Sequence, residues 1–290
     1  MTLNLQLADI NNLLVIVPHQ DDEVLMAGGL IYQLLQQKKK VSVCIATNGD
    51  YGAMDFSKGH ARLQESLSGL AVLGLSAKDV YFLGYADTGM DPAESFLMRL
   101  YTSDDHQKKY SSGCSNQTYG LPAKPDLHFQ FFKEPGSYCR ATFQQDLREL
   151  FAWVRPDTVL TTHKADRHGD HEALFYFVEE ALKEFTSHSR PRLLVALVHS
   201  PEGDETWPQR NTAFFNQPAG LEAFGLAWEN RLLLPLPEEL SGGHLQSNLK
   251  FQALKKYEVA LEPNAVDYLL SFIKDQEIFW EIEEIYHDQR

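Results

Sequence analysis

At 290 residues and 43% hydrophobic, the chain can bury a sizeable core, and one enzyme-sized body, 1–290, is the expected domain organisation. Its net charge of -14 excludes the clustered Lys and Arg surface that nucleic acid requires. Cys44, Cys114 and Cys139 form no CxxC pair and no even set, which indicates neither a disulfide framework nor a thiolate zinc site and points to a reducing, cytoplasmic setting.

In chain order, residues 1–12 lack a basic leader region, and the apolar run 13–17 is too short for a signal segment or a membrane span. That run, ending at Pro18, predicts a strand buried on both faces. Ile31, Leu34 and Leu35 keep helical spacing, and Lys38, Lys39 and Lys40 are expected to complement the dipole at that helix's end. Residues 41–47 predict a second strand, 61–73 a helix stopped by Gly74, and 80–83 a third strand. The stretch 90–140 lacks periodicity and predicts an irregular insertion. Regularity returns with a helix over 142–154, a strand over 158–162, a helix over 172–185 and a strand over 193–198. From about 200 the signals weaken into a C-terminal extension, with a strand over 232–236 and a helix over 244–261. Alternating strands and helices predict an α/β fold: a doubly wound, mainly parallel, Rossmann-like sheet with helices on both faces.

Polar residues follow each strand: His19, Asp21 and Asp22; Asn48, Gly49 and Asp50; Asp87; His163, Asp166, His168 and His171; and His199. The carboxyl ends of parallel strands line the ligand crevice of such sheets. A lone Asp after a strand is ordinarily a turn or N-cap residue, but two loops that each offer imidazole and carboxylate suit a divalent ion. His19 and Asp22 can present both side chains from one turn, with His171 as a third ligand and one position open for water; His163 and His199 receive no such role. Asp21 stays uncommitted. Glu23 reads as a first-turn acid or a support for its neighbours.

With both loops in view, the sequence resembles the LmbE-like, PIG-L type family of zinc-dependent N-acetylglucosaminyl de-N-acetylases. Its motifs, typically His-Pro-Asp-Asp-Glu and His-Pro-Asp-His, stand here as His19-Gln20-Asp21-Asp22-Glu23 and His168-Gly169-Asp170-His171, each departing only at the proline. The likeness extends through "TNGD" at 47–50, the helix "ARLQESLSGLAVLGL", "LGYADTGM" at 83–90 and "KFQALKKY" at 250–257. The resemblance implies one Zn2+ on His19, Asp22 and His171, with Asp21 as general base and His168 as oxyanion stabiliser. It also implies that Arg62 and Asp87 contact the substrate, although a surface cation and a turn residue are equally good readings of those two. The implied reaction is hydrolysis of an amide on a small N-acetylated amino sugar or its conjugate.

Two competing readings are a catalytically silent sugar-binding or assembly protein and a dinucleotide-dependent Rossmann protein. No GxGxxG follows the first strand, which disfavours the second. Tyr101, Tyr110, Tyr119, Phe129, Phe131, Phe132 and Tyr138 in the insertion suit sugar stacking, a satellite core or a subunit interface, with the structural uses preferred. The tail "EIFWEIEEIYHDQR", with Ile278, Trp280, Ile282 and Ile285, suits docking on the body or on another subunit, which leaves a homo-oligomer open.

Overall fold

The computed structural model describes residues 3–185, 190–241, 245–260 and 265–283. After the short strand β1 (Leu3–Asn4) the chain runs through β2 (Asn12–Val17), α1 (Asp22–Gln36), β3 (Lys40–Thr47), α2 (Ser57–Val72) and β4 (Val80–Tyr85). The insertion contributes two short helices, α3 (Phe96–Tyr101) and α4 (Leu127–Phe132). Then come α5 (Arg140–Val154), β5 (Thr158–Thr161), α6 (Gly169–Glu184) and β6 (Arg192–Val195), followed by β7 (Leu232–Pro235), α7 (Leu249–Leu254), α8 (Val266–Leu270) and β8 (Gln276–Glu281).

Among the described residues the strands make one sheet in the order β1-β7-β8-β6-β5-β2-β3-β4. The run from β6 to β4 is parallel throughout, and β8 lies antiparallel to both β6 and β7. Helices cover both faces, with α1, α2 and α7 in mutual contact and α5 and α3 each against α6. β2 sits in the middle, which is why every residue from Leu13 to Val17 is buried and why its sequence is apolar without alternation. From β2 the chain winds outward to β3 and β4, then returns to β5 on the other side of β2. The order of the sheet therefore reverses between β2 and β5, and a crevice opens beyond their carboxyl ends.

Several expectations are corrected. Lys39 does not serve the end of α1: its Nζ donates to the carbonyls of Leu7, Ala8 and Ile10 at 3.0, 3.1 and 2.6 Å, and Lys40 opens β3. A single helix over 244–261 does not form. A 3-10 turn, Leu245–Ser247, gives way to α7, which Asn248 caps by accepting from the Phe251 amide; His244 and Leu261 lie outside the described residues. The tail packs on the body over its first part, the first of the two readings: Ile278 and Trp280 are buried within β8 between β6 and β7; Ile285 lies outside the described residues.

The aromatic side chains of the insertion do structural work. Tyr138 stacks on Tyr85 and meets Phe96 edge-on, Tyr101 stacks on Tyr176, and Phe131 meets Trp153. Tyr138 belongs to the main core, and Tyr101, Tyr110 and Phe131 pack against it, so the use is structural but without a separate satellite core.

Candidate metal centre and active site

The loop after β2 turns sharply into α1. Asp21, at φ 106°, takes a backbone conformation that costs an L-residue about 1–3 kcal/mol and is typical of functional sites. Glu23 holds it there: Glu23 Oε2 accepts from the Asp21 amide at 2.9 Å, while Oε1 accepts from Tyr257 Oη at 2.8 Å. Gln20, in place of the proline, is fixed by donating to the Thr47 carbonyl at 2.7 Å. The loop is therefore braced by hydrogen bonds instead of a ring.

The second motif lies on a helix, not on the loop that the sequence reading expects. α6 begins at Gly169, three residues before the predicted start, and His168 is its N-cap, with Nδ1 accepting from the Asp170 amide at 3.2 Å. That bond leaves the proton of the neutral ring on Nε2. Gly169 is a matter of room, since a Cβ there would lie 2.6 Å from the Ser95 Cβ and 2.7 Å from the Pro92 Cα. The start of the insertion packs directly on the motif, and Asp170 Oδ1 accepts from Ser95 Oγ and from the Leu97 amide.

Across the crevice three ligand atoms converge. His19 Nδ1 and His171 Nε2 are 3.1 Å apart, and Asp22 Oδ2 lies 3.5 Å from the first and 3.4 Å from the second. Tetrahedral bonds of about 2.0–2.1 Å to one ion have edges of about 3.3 Å, so these residues fit a divalent metal without moving. His168 is looser, with its ligand atom within 4.8 Å of those of His19 and His171. His19 and His171 each also have a carboxylate behind them, the arrangement that orients imidazoles in metal sites. Asp170 Oδ2 lies 3.2 Å from His19 Nε2. Asp166 Oδ2 lies 3.0 Å from His171 Nδ1, off the line of a hydrogen bond.

The electrostatics match that donor set. Burial opposes the Asp22 carboxylate, but His171 and His19 outweigh it and hold its pKa below the usual range. Burial likewise opposes the His19 imidazolium, yet Asp170 and Asp22 raise its pKa well above the ordinary value. His168 is driven the other way, first by burial and then by His19 and His171, so it stays neutral. Burial pushes Asp21 up to about 8 against the pull of Arg62, whose Nη2 lies 3.3 Å from Asp21 Oδ2 and donates to the Gln20 carbonyl at 2.6 Å.

A cavity of about 600 Å3 opens on this cluster, lined by His19, Asp21, Asp22, Arg62, Asp87, His168 and His171. All seven residues singled out in the sequence thus meet in one place. His163 does not. It is buried against Phe175, accepts from the Ala165 amide, and is pushed down to about 3 by burial. Asn48 and Asp50 are braces: Asn48 donates to the Gly84 and Tyr119 carbonyls, and Asp50 accepts from the Asp87 amide at 2.9 Å.

His199 departs from expectation, because the structure puts it in the cavity wall. Its ring lies 5.4 Å from that of His171 and stacks on Tyr268 at 5.6 Å, and its Nδ1 meets Asp204 Oδ2 at 2.7 Å. The cluster of acids around His168 and His171 is a signal that could have assigned Asp166 and Asp170 their supporting places. Asp204 and Tyr268 carry no comparable signal.

A family model described as PIG-L, GlcNAc-PI de-N-acetylase, matches residues 14–182. No curated protein matches the sequence. Solved structures similar to the chain include N,N'-diacetylchitobiose deacetylase from Pyrococcus horikoshii, at 14% identity and a TM-score of 0.56, covering 97% of this chain and 87% of that one. The A40926 pseudoaglycone deacetylase Dbv21 aligns at 17% identity and 0.56, covering 94% and 97%. GalB, the 4-carboxy-2-hydroxymuconate hydratase from Pseudomonas putida KT2440, aligns at 14% and 0.51, covering 93% and 95%. These likenesses establish the fold, and a hydratase among them means that the chemistry has to be argued from the site.

Proposed function

The chain belongs to the PIG-L family of GlcNAc-PI de-N-acetylases, and on that premise we propose that it is a zinc-dependent hydrolase removing the acetyl group from an N-acetylated amino sugar or its conjugate. The observation that carries the reading is the triad of ligand atoms 3.1–3.5 Å apart with an uncommitted carboxylate, Asp21, beside it. Deacetylases of a chitobiose derivative and of a glycopeptide pseudoaglycone among the similar structures agree with such a substrate. A divalent ion on His19, Asp22 and His171 supplies Lewis acidity and lowers the pKa of water.

Asp21 takes the proton of the attacking water as it adds to the amide carbonyl. His168, neutral and with its proton on Nε2, donates to the oxygen that becomes anionic. The C–N bond then breaks, and the proton held by Asp21 goes to the departing nitrogen, leaving acetate and an amine. Arg62 keeps Asp21 aimed and favours its charged form; Asp87, whose carboxylate lies within 4.8 Å of the His19 and Asp170 ligand atoms, accepts from sugar hydroxyls.

Purified protein is expected to carry about one divalent metal per chain after mild dialysis, and His171→Ala to lose most of it, both read by elemental analysis. Folded, active protein without metal would reject the reading. A panel of N-acetylated amino sugars tests the substrate class.

Metal uptake should also release a proton, because Asp170 and Asp22 outweigh burial and raise the pKa of His19 well above its ordinary value, and a ligand imidazole must be neutral. That pKa is raised in the metal-free protein, so the proton is bound more firmly as pH falls and zinc affinity weakens from pH 8 to pH 6. Calorimetry of zinc binding at pH 6 and pH 8 checks this, and equal affinities at the two would contradict it.

A further inference from the structure

Gln20 stands between His19 of the ligand triad and the uncommitted Asp21, and it is fully buried. The orientation of its amide is unambiguous, because Nε2 donates to the Thr47 carbonyl at 2.7 Å and a carbonyl only accepts. Oε1 is therefore turned away from Thr47, buried and with no donor among the described residues. The strand end that Gln20 grips is itself fixed, since the Thr47 amide and Oγ1 both donate to the Pro18 carbonyl at 2.9 Å.

Arg62 has the complementary gap. Its Nη2 donates to the Gln20 carbonyl and lies 3.3 Å from Asp21 Oδ2, whereas its Nε is buried with no acceptor among the described residues. The two unpaired atoms meet over Gly49: at φ 61°, a Cβ there would stand 2.2 Å from Gln20 Oε1 and 2.9 Å from Arg62 Nε. A side chain at 49 would wedge them apart. Buried polar groups without partners are rare because water cannot serve them, and each of these two supplies what the other lacks. The proline typical of this motif position has no side-chain oxygen, so the arrangement depends on the glutamine.

We propose that Gln20 is a positioning residue: its Oε1 accepts from Arg62 Nε across Gly49, and the guanidinium, held at Nε and Nη2 together, keeps Asp21 at the angle from which it takes a proton. Closing the bond moves only the ends of two side chains. The bond stands on this geometry alone, while its use in catalysis rests on the proposed function, which makes Asp21 the base.

The bond is read in the zinc-loaded protein by proton–nitrogen correlation NMR of the Arg62 Nε–H, whose signal is identified by its loss in Arg62→Lys. Gln20→Met keeps length and burial but offers no strong acceptor, so it should shift that signal and speed its hydrogen exchange about tenfold, with the amides of Leu13 to Val17 as protected as in the parent. On N-acetylglucosaminides the same variant should lose about tenfold in kcat, the worth of one hydrogen bond to a charged group, with KM and metal content near parental values. The double variant should fall no further than Arg62→Lys alone, because both changes remove one device, whereas a merely structural role for Gln20 would make the two losses multiply. Gln20→Pro repeats each arm should Gln20→Met fail to fold, since the Gln20 amide donates to no carbonyl among the described residues. An Arg62 signal that responds to Gln20→Met, with no amide hydrolysed by the parent, would uphold the bond and reject the proposed reaction. An Arg62 signal indifferent to Gln20→Met, or losses in kcat that multiply in the double variant, would overturn the positioning role and leave the reaction standing.

Discussion

Asp21→Asn is expected to lose about 10^2 to 10^4 in kcat, the scale for removing a positioned general base, while keeping its metal. The substitution preserves shape, the backbone amide bond to Glu23 Oε2 and an oxygen for Arg62, 3.3 Å away in the parent. Only the capacity to take a proton goes. Asp22→Asn, one residue along, should behave differently. Asp22 Oδ2 is one corner of the ligand triad, and a neutral amide is a poorer ligand for a divalent cation, so metal content falls together with activity. Turnover of N-acetylglucosaminides and metal content measured side by side on the two variants separate the roles. Near-parental turnover in Asp21→Asn would remove the base assignment. If the parent hydrolysed no amide across a broad panel, a silent sugar-binding protein would be the better account.

The site was legible because its chemistry is local. His19 and Asp22 occupy one turn, His168 and His171 another, and the two turns follow β2 and β5, the strands between which the sheet reverses. A motif at a strand end needs no knowledge of distant packing. The supporting carboxylates were less legible. Asp166 and Asp170 stood out in sequence as acids among histidines, but only the fold shows that Asp170 lies behind His19 and Asp166 behind His171. The start of α6 was misplaced because a histidine, not the usual Ser, Thr, Asp or Asn, caps it.

Long-range pairing explains the remaining errors. β8 reads as an acidic, apolar tail because its partners β6 and β7 lie far back in the chain. Its acids look solvated in sequence, yet Glu281 pairs with Arg192 through two bonds of 2.8 Å. In α7, Lys250 is fully buried beside Phe251, and its ionic partner Glu277 lies 27 residues further on. In each case the partner that neutralises the charge lies elsewhere in the sequence.

Glu277→Gln is expected to destabilise the protein by about 3–5 kcal/mol, the cost of stranding one member of a buried ion pair. The Lys250 and Glu277 side chains are 0% and 1% exposed, with Nζ 2.9 Å from Oε1. Neither has water to fall back on. Both are also wedged against α1, where Lys250 Nζ donates to the Leu25 carbonyl at 2.7 Å while Glu277 accepts from the Gly29 and Leu30 amides at 2.7 and 2.9 Å. Gly29 permits this approach, since a Cβ there would lie 3.1 Å from the Glu277 carboxyl and 2.2 Å from a Leu236 methyl. α1 carries Asp22 in its first turn, so the pair fastens the C-terminal strand and helix to the element that presents this proposed metal ligand. Denaturant unfolding of Glu277→Gln, Lys250→Met and the double variant measures the effect. The double variant should recover much of the loss, because removing both charges leaves no unpaired ion. A Glu277→Gln protein within about 0.5 kcal/mol of the parent, the range of ordinary surface substitutions, would show that the pair is not what fastens β8 to α1.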